Sequence, residues 1–319
     1  VTWEIGRTGK LTPLAHLDPV ELAGATIRRA TLNNWGDIER KRVRIGAKVW
    51  IRRSNEVIPE IMGRVDEFEA DERDVEKPTQ CPACGAKLIE KGAHLYCPNR
   101  EGCIAQIVMR MAHFAGREAM DIDAFSEKTA RQLCQALGIH EPSDLYELSH
   151  EQLTALERFG DKKAKKLLDE IEKSKSVKLD SFIFALGIPN VGRKTARDLA
   201  ERFGGMQPLM EADAQTLTQM DDVGDIVAQS IVDFFADPVT RAETERLLAR
   251  GVSPVWEKRE AGGAFTGMTV VITGTLETLS RAEAEERVRD AGGKLTKAQQ
   301  LGVRVINEAE FLQMLANRA

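Results

Sequence analysis

The sequence predicts a multidomain protein: a small all-β barrel, a cysteine-rich module, an all-α domain and a small α/β module, in that order. Three observations carry this prediction. Short β-type runs fill the first 65 residues, four of the five cysteines fall within residues 81–103, and a glycine-centred helical pattern recurs about every 32 residues from residue 156. A length of 319 residues also exceeds what one ordinary core organises.

The overall composition is that of an ordinary globular chain, with 42% hydrophobic and 30% charged residues. No apolar run reaches the roughly 20 residues that cross a bilayer, and no signal-peptide pattern opens the chain. We therefore expect a cytoplasmic protein that does not bind membranes. Because the first residue is Val1 and not Met, we also expect the chain to begin inside a longer reading frame.

Charge is distributed unevenly, although the net charge is only -5. Residues 28–53 hold nine Lys or Arg against two acids, and residues 158–178 hold eight against four. Residues 66–76 hold seven acids and one Arg. Since phosphate binding depends on local fields, separated basic patches are compatible with a mildly acidic whole. Charge alone does not distinguish such a patch from an ordinary solvated surface.

The N-terminal β-type runs are Thr26–Arg28, Lys48–Ile51 and Val57–Ile58, and glycine-containing turns separate them. Several short strands with little helix predict a small barrel over residues 1–66, for which an OB-fold is the obvious candidate. The acidic stretch 67–78 that follows is interpreted as a linker.

The cysteine module is predicted over residues 79–106. Cys81 and Cys84 form a C-x-x-C pair, twelve residues separate Cys84 from Cys97, and five more lead to Cys103. This spacing predicts a four-thiolate zinc site that is structural, because no ligand position stays open. An odd cysteine count argues against a disulfide framework. His94 remains an alternative ligand, and Cys134 is expected to be an ordinary buried thiol.

A repeated hairpin pattern marks the all-α domain, predicted over residues 107–250. The copies Leu156–Ala164, Ile188–Ala196 and Met220–Ala228 each have an apolar residue, a glycine, three variable positions and an alanine that opens a helix. This is the helix-hairpin-helix pattern, in which glycine lets the backbone approach a phosphate at a helix N-terminus. Such contacts hold DNA without reading its sequence. The alternative is that these glycines only permit close helix packing.

The hairpins differ in charge. Two of them carry cations beside the turn: Lys162 and Lys163 follow Gly160, and Arg193 and Lys194 follow Gly192. The hairpin at Gly224 is acidic and is expected to be structural. An earlier segment, Ile122–Ala130, has Ala124 and Ser126 where glycines are expected, so we do not expect it to contact DNA directly.

The C-terminal part begins with a second predicted linker, 251–264. Residues 265–319 then start with a strand at Thr269–Ile272, a Thr273–Gly274 turn and a helix at Arg281–Ala291. This pattern predicts the small α/β module.

Taken in order, these parts resemble the C-terminal portion of bacterial NAD-dependent DNA ligases, over essentially the whole chain. The segments that carry the resemblance are Ile5–Pro13, Arg29–Asn33, Arg44–Gly46, Arg52–Arg53, Val57–Pro59, His113–Asp123, Phe184–Ile188 and Thr273–Leu276 with Gly292–Gly293. The last of these is similar to a BRCT module.

Two departures from the family pattern matter. The family's adenylated lysine lies in a Lys-x-Asp-Gly motif, and no such tetrapeptide occurs in these 319 residues, so we expect the adenylation domain to be absent. In addition, Gly293-Lys294 runs almost directly into Leu295–Ala298, where the family has about two further strands. We therefore expect residues 265–319 to be a truncated BRCT-like module.

The resemblance implies the function of the intact enzyme, which seals 5′-phosphate/3′-hydroxyl nicks in duplex DNA during replication and repair, using NAD and magnesium. For this chain it implies a structural zinc and a grip on nicked duplex DNA, without catalytic residues and without activity on its own. It also implies a monomer in the bacterial cytoplasm, at the nucleoid. The predicted DNA contacts are Arg7, Arg28, Arg29, Arg52 and Arg53 in the barrel and Gly160, Lys162, Lys163, Gly192, Arg193 and Lys194 in the hairpins.

Three alternatives stay open on sequence alone. One is a stand-alone DNA-binding or repair adaptor without ligase activity. A second is a nuclease-linked hairpin protein, which would need a cluster of metal-binding carboxylates. A third is a purely structural zinc-and-helix scaffold, which would show no salt-dependent binding to DNA.

Overall fold

The structure is a computed structural model that describes residues 1–22, 24–53, 59–66 and 71–256, with the short pieces 269–270, 278, 283–284, 287–288, 294–295 and 308–316. The chain forms two compact units, Val1–Trp256 and Glu257–Ala319. The first unit contains every residue predicted to bind metal or DNA. Among the described residues, no helix is long and apolar enough to span a bilayer.

In the described part of residues 1–74, seven strands and one short helix build the N-terminal barrel. They are β1 Thr2–Ile5, β2 Lys10–Leu22, β3 Ala25–Thr31, α1 Trp35–Arg40, β4 Arg44–Ile45, β5 Val49–Arg52, β6 Glu60–Arg64 and β7 Arg73–Asp74. Strand β2 pairs antiparallel with β1 and β3, and β5 pairs antiparallel with β6. Leu11, Pro13 and Ala15 alternate with more exposed residues along β2, as a half-buried strand requires. The predicted β-rich barrel is confirmed.

Part of the predicted acidic linker belongs to the barrel. Residues Arg73 and Asp74 pair antiparallel with Ile45 and Arg44. The next residue, Val75, is buried in the barrel core with Ile38, Val43 and Ile61 among others. A single apolar side chain within the acidic run is enough to anchor this segment, because its burial removes it from water while the acids stay outside.

The cysteine module continues the barrel sheet. Its strands are β8 Ile89–Lys91 and β9 His94–Tyr96, and β9 pairs antiparallel with β2. The resulting seven-stranded sheet has the order β5-β6-β3-β2-β9-β8, with β1 also paired to β2. Trp3 and Trp35, whose ring centroids are 6.3 Å apart, pack against both the barrel core and the module core. Barrel and cysteine module therefore share one sheet.

Helices make up most of the rest of the first unit. They are α2 Ile104–Phe114, α3 Glu127–Leu137, a 3₁₀ helix Pro142–Glu147, α4 His150–Thr154, α5 Asp161–Ser174, α6 Leu179–Ala185, α7 Arg193–Phe203, α8 Met206–Met210, α9 Ala214–Leu217, α10 Asp225–Ala236 and α11 Pro238–Ala249. They enclose one hydrophobic core that includes Phe114, Leu133, Leu167, Phe182 and Leu199. In α5 the buried residues Ala164, Leu167 and Ile171 follow helical spacing, so one face of the helix meets this core.

A small parallel sheet closes the helical domain. Strand β10, Ser176–Lys178, pairs with β11, Ser253–Val255, and the Ser253 N–H donates to the Lys175 carbonyl at 2.7 Å. Val252 is also buried in the helical core. The first residues of the predicted second linker, 251–264, thus belong to the helical domain, and residues 257–264 lie outside the described residues.

The second unit is described only in pieces. Strand β12, Thr269–Val270, pairs in parallel with β13, Lys294–Leu295, and helix α12 spans Glu308–Ala316. Strand β12 begins where the sequence predicts a strand. The Thr273–Gly274 turn lies outside the described residues, as does most of the truncated BRCT-like module predicted over 265–319. That module therefore stays a prediction.

Candidate metal centre and nucleic-acid interface

Three separate pieces of backbone bring the four predicted metal ligands together. Cys81 and Cys84 lie in a tight turn, in which the Cys81 N–H donates to the Ala86 carbonyl at 2.8 Å. Cys97 directly follows β9, and Cys103 is the N-cap of α2. The turn, the sheet and the helix thus each contribute to the positions of the four thiols.

The spacing of the four thiols fits a tetrahedral metal ion. All four sulfur atoms lie within 4.8 Å of one another, with 3.9 Å between Cys81 and Cys103 and 3.6 Å between Cys84 and Cys97. Zinc–sulfur bonds of about 2.3 Å in a tetrahedron place the sulfurs about 3.8 Å apart. A disulfide, by contrast, needs about 2.05 Å. Among the described residues, this cluster contains neither His94 nor Cys134. These four cysteines can hold a metal ion.

Burial disfavours the thiolate form at two of the four cysteines. It raises the pKa of the Cys97 thiol to about 12 and also raises the pKa of Cys81. At Cys84 burial acts in the same direction, but hydrogen bonds from the Ala86 backbone and neighbouring side chains outweigh it and lower the pKa to about 7. A divalent cation stabilises thiolates, so metal binding would displace these protons. Burial also raises the pKa of Cys134 to about 11, as for an inert core thiol.

Arg7 lies at the junction between the barrel and the helical domain. Its Nη1 donates to the Gly187 carbonyl at 2.5 Å, and burial lowers its pKa. Gly187 has a φ of +69°, and a Cβ there would lie 2.7 Å from Nη1 of Arg7. The structure therefore places one N–H group of Arg7 against a backbone carbonyl across the junction, and the DNA contact of Arg7 stays a prediction. The position of Arg7 in a turn between strands does not indicate this partner.

The other four predicted barrel arginines lie on neighbouring strands. Arg28 and Arg29 are exposed on β3, Arg52 is exposed on β5, and Arg53 follows it. Strand β6 lies between β3 and β5. These residues therefore lie in one part of the sheet, while successive residues such as Arg28 and Arg29 point to opposite faces of their strand.

Glu60 on β6, the strand between β3 and β5, already has cationic partners. Lys41, whose side chain is only 6% exposed, lies 3.0 Å from Glu60 and 3.3 Å from Asp37. Hydrogen bonds from Lys41 and Asn33 lower the pKa of Glu60. Arg52 is farther from it, at 3.6 Å. Sequence reasoning missed this supporting role of Asn33 and Lys41, which only the pairing of β5, β6 and β3 makes visible.

The helical domain contains four hairpins, named here by the N-cap residue of the second helix. They are the Ser126, Gly160, Gly192 and Gly224 hairpins, whose second helices are α3, α5, α7 and α10. In each hairpin the residue two positions before the N-cap has a left-handed backbone. These residues are Ala124, Arg158, Asn190 and Asp222, with φ values of 64°, 60°, 64° and 66°. Residue type gives no hint of this shared conformation, since Ala and Arg rarely adopt it.

The three glycine N-caps leave their helix ends open. Gly160, Gly192 and Gly224 have φ values of -80°, -94° and -82°, which any residue adopts, and no side chain caps these helices. A Cβ added at any of the three meets no atom within 4 Å. Neither backbone conformation nor packing within the chain therefore accounts for glycine at these positions. This geometry argues against the alternative in which the glycines serve close helix packing.

The Ser126 hairpin differs at this position. The Ser126 hydroxyl oxygen accepts a hydrogen bond from the Thr129 N–H at 3.2 Å. A side-chain cap of this kind satisfies one of the free amides at the start of a helix. The first hairpin therefore presents a helix end that is already occupied.

The predicted hairpin cations have different surroundings. Lys162 is exposed, whereas Lys163 lies 3.7 Å from the centre of the Phe159 ring, and burial lowers its pKa. Arg193 lies 3.4 Å from the buried carboxylate of Asp180 on α6. Lys194 is exposed and forms an ion pair with Asp222 of the Gly224 hairpin. The four cations thus lie beside the open helix ends, but two of them already have carboxylate partners.

Comparisons with known proteins agree with this geometry. Residues 1–73 match the model of the NAD-dependent DNA ligase OB-fold domain. Residues 117–173 match a SAM-like helix-hairpin-helix tandem, and residues 181–243 match a helix-hairpin-helix motif. Each of these two segments, called here the first tandem (117–173) and the second tandem (181–243), contains two of the four hairpins described above.

Curated relatives extend the match to the whole chain. The chain is similar to a DNA ligase of Alkaliphilus oremlandii, with 49% identity over 99% of the chain, and to one of Clostridium perfringens, also with 49% identity over 99% of the chain. A DNA ligase of Alkaliphilus metalliredigens is 53% identical over 93% of the chain. The chain belongs to the NAD-dependent DNA ligase family. It spans about half the length of these relatives, namely 52%, 51% and 45%.

Proposed function

We propose that this chain is the DNA-holding part of an NAD-dependent ligase that seals 5′-phosphate/3′-hydroxyl nicks in duplex DNA. In this proposal the chain grips the duplex as a monomer in the bacterial cytoplasm, at the nucleoid. Its described residues include no catalytic residue. The observation that carries the proposal is the pair of open, glycine-capped helix ends at Gly160 and Gly192, beside exposed or half-buried cations.

At each of these helix ends, backbone amides and the positive end of the helix dipole favour a phosphate oxygen. Lys162 and Lys163 add charge at the Gly160 hairpin, and Arg193 and Lys194 add it at the Gly192 hairpin. A glycine without a Cβ lets the DNA backbone approach closely. Contacts of this kind recognise the sugar-phosphate backbone and not the base sequence, which suits an enzyme that acts on nicks in any sequence.

The barrel would supply a second basic region through the strand arginines Arg28, Arg29, Arg52 and Arg53. Two surfaces on one chain would hold the duplex on both sides of a nick and limit its motion. Precise positioning lowers the barrier of a phosphoryl-type transfer, in which the reacting atoms must be aligned. The covalent steps, with their NAD and magnesium, belong to the intact enzyme.

We also propose that the metal held by Cys81, Cys84, Cys97 and Cys103 is zinc. Four sulfur ligands in a tetrahedral spacing suit zinc and leave no open coordination position for chemistry. Bound zinc would supply only a structural crosslink between the barrel sheet and α2. The four side chains would then act by holding β9 and the start of α2 in place.

The test replaces Gly160 and Gly192 together by valine and compares binding to a nicked duplex with binding by the parent. Because each new side chain enters open space, we expect a folded protein that has lost at most about 2 kcal/mol of stability. We expect the dissociation constant for the nicked duplex to rise at least about tenfold, equivalent to about 1.4 kcal/mol.

Gly224→Val is the matched control, since this N-cap has the same backbone geometry and the same open surroundings on an acidic hairpin. It should change affinity less than about twofold while costing similar stability. The parent's affinity should also fall steeply with added salt, in the manner of phosphate contacts. Binding that is insensitive to salt, or equal for the double variant and the parent, would contradict the proposal and favour a structural scaffold.

A further inference from the structure

The Gly192 and Gly224 hairpins contact each other through two side-chain pairs. The Asn190 side-chain amide donates to the Ser230 hydroxyl at 2.8 Å. The Lys194 ammonium donates to the Asp222 carboxylate in an ion pair. Both members of that ion pair are on the surface, with side chains that are 70% and 69% exposed. The contact is thus open to competition from an ion or a ligand in solution.

The Lys194–Asp222 ion pair lies at the proposed phosphate site. Lys194 lies two residues after Gly192, at the open end of α7, where the proposed function places a DNA phosphate. Asp222 lies two residues before Gly224, at the left-handed position of the acidic hairpin. The neighbouring hairpin thus directs a carboxylate at a cation of the phosphate site. Asp198, at 3.4 Å on the next turn of α7, is a second acidic neighbour of Lys194.

We propose that Asp222 is an affinity-setting residue: it occupies Lys194 in the free chain and is displaced when a DNA phosphate binds there. The inference rests on the proposed function, because it takes the Gly192 hairpin as a phosphate contact. Carboxylate and phosphate compete for the same ammonium group, so the acidic Gly224 hairpin weakens the grip of its basic neighbour. In this proposal the acidic residues of the Gly224 hairpin regulate DNA affinity, in addition to the structural role expected for that hairpin.

The salt dependence of binding makes this competition measurable. Both side chains of the Lys194–Asp222 pair are exposed, so added salt screens their attraction and weakens the competition. Displacing Asp222 therefore costs most in dilute buffer. Without the Asp222 charge, Lys194 is available to the phosphate at every salt concentration, and the gain in affinity is largest at low salt.

A related ion pair occurs in the first tandem. Lys166 on α5 lies 2.5 Å from Asp123 of the Ser126 hairpin. In each tandem, therefore, the basic hairpin supplies the lysine of the ion pair. The other hairpin, Ser126 in the first tandem and Gly224 in the second, supplies the carboxylate. Lys166 follows its N-cap glycine by six residues, whereas Lys194 follows by two, so Lys166 is about one helical turn farther from the open end. We therefore assign the affinity-setting role to Asp222.

The experiment measures binding of the full chain to a nicked duplex for Asp222→Asn at several salt concentrations. Asparagine tolerates the left-handed backbone at this position and removes only the charge. We expect affinity to rise about twofold to fivefold at low salt, and this gain to shrink as salt is added, because salt screens the exposed ion pair that Asp222 otherwise forms. Asp221→Asn is the control, with the same charge change one residue away and no ion pair to Lys194 among the described contacts.

A second comparison isolates the ion pair from net charge. In a Lys194→Gln background, Asp222→Asn should change affinity no more than Asp221→Asn does, because the competition has been removed. If the parent binds the duplex in a salt-dependent way but Asp222→Asn behaves like Asp221→Asn, this inference is overturned and the proposed function stands. A parent that ignores the duplex overturns both.

Discussion

At the scale of single residues, the four metal-site thiols depend on one another for their position and their charge. They come from a turn, the end of β9 and the start of α2, so no local segment builds the site alone. Burial disfavours a free thiolate at Cys97 and at Cys81. Loss of one ligand therefore leaves three sulfurs whose geometry and protonation both oppose metal binding.

Cys97→Ser should abolish the metal site. We expect bound zinc to fall from about one per chain to below about 0.1 after dialysis, with a lower unfolding temperature, because metal binding contributes to folding free energy. Atomic absorption on the purified protein and thermal unfolding measure the two effects. Cys134→Ala is the control, as this buried thiol lies outside the cluster, and it should keep the parental zinc. Parental zinc content in Cys97→Ser would rule out the site.

At the scale of elements, the left-handed residue two positions before each N-cap defines the hairpin turn. For a non-glycine residue this conformation costs about 1 kcal/mol or more of conformational free energy, and the cost is lower for Asn and Asp. In the Ser126 hairpin the position is occupied by Ala124, with a φ of 64°. The turn is therefore maintained there against a local preference, by the packing of the helices that it joins.

Ala124→Gly should stabilise the protein. Glycine removes the steric penalty of the left-handed backbone but loses more entropy on folding, so we expect a net gain of about 0.5 kcal/mol in the free energy of unfolding. Ala136→Gly is the matched control, because Ala136 is exposed within α3, and it should lose about 0.5–1 kcal/mol. Urea unfolding measures both. Equal losses in the two variants would contradict the turn geometry.

Features with a fixed spacing in the sequence could be predicted, whereas contacts between distant segments could not. The hairpins were predictable because glycine and alanine recur at fixed spacing, and the metal site because cysteine spacing reflects ligand geometry. The engagement of Arg7 by Gly187 and the pairing of Lys194 with Asp222 were not predictable, since both join segments far apart in sequence. The attachment of Val75 to the barrel was missed because a run of acids outweighed one apolar residue in the linker interpretation.

At the scale of the whole molecule, Glu243 connects the two helix-hairpin-helix tandems by hydrogen bonds. Glu243 on α11 accepts hydrogen bonds from the Ser143 N–H at 2.8 Å and from the Ser143 hydroxyl at 2.7 Å. Arg246 also donates to it at 2.7 Å. Ser143 and Glu243 are both buried. This contact links the 3₁₀ helix after the Ser126 hairpin to the helix after the Gly224 hairpin.

Glu243→Ala should therefore destabilise the helical domain. Truncation leaves the Ser143 N–H and hydroxyl buried without their partner, and we expect a loss of about 2–4 kcal/mol in the free energy of unfolding. Glu245→Ala, two residues along the same helix, removes an exposed pair with Arg241 and should cost less than about 1 kcal/mol. Chemical denaturation distinguishes the two, and a similar small loss in both would contradict a structural role for Glu243.

The parallel pairing of β10 with β11 has a consequence for synthesis of the chain on the ribosome. Residues 176–178 emerge long before residues 253–255, with which they pair. Until the later strand leaves the exit tunnel, the earlier one has exposed backbone amides and carbonyls, a state prone to association with other nascent chains. An expression boundary placed at residue 250 would make that state permanent, whereas one placed after Trp256 would let the strand find its partner.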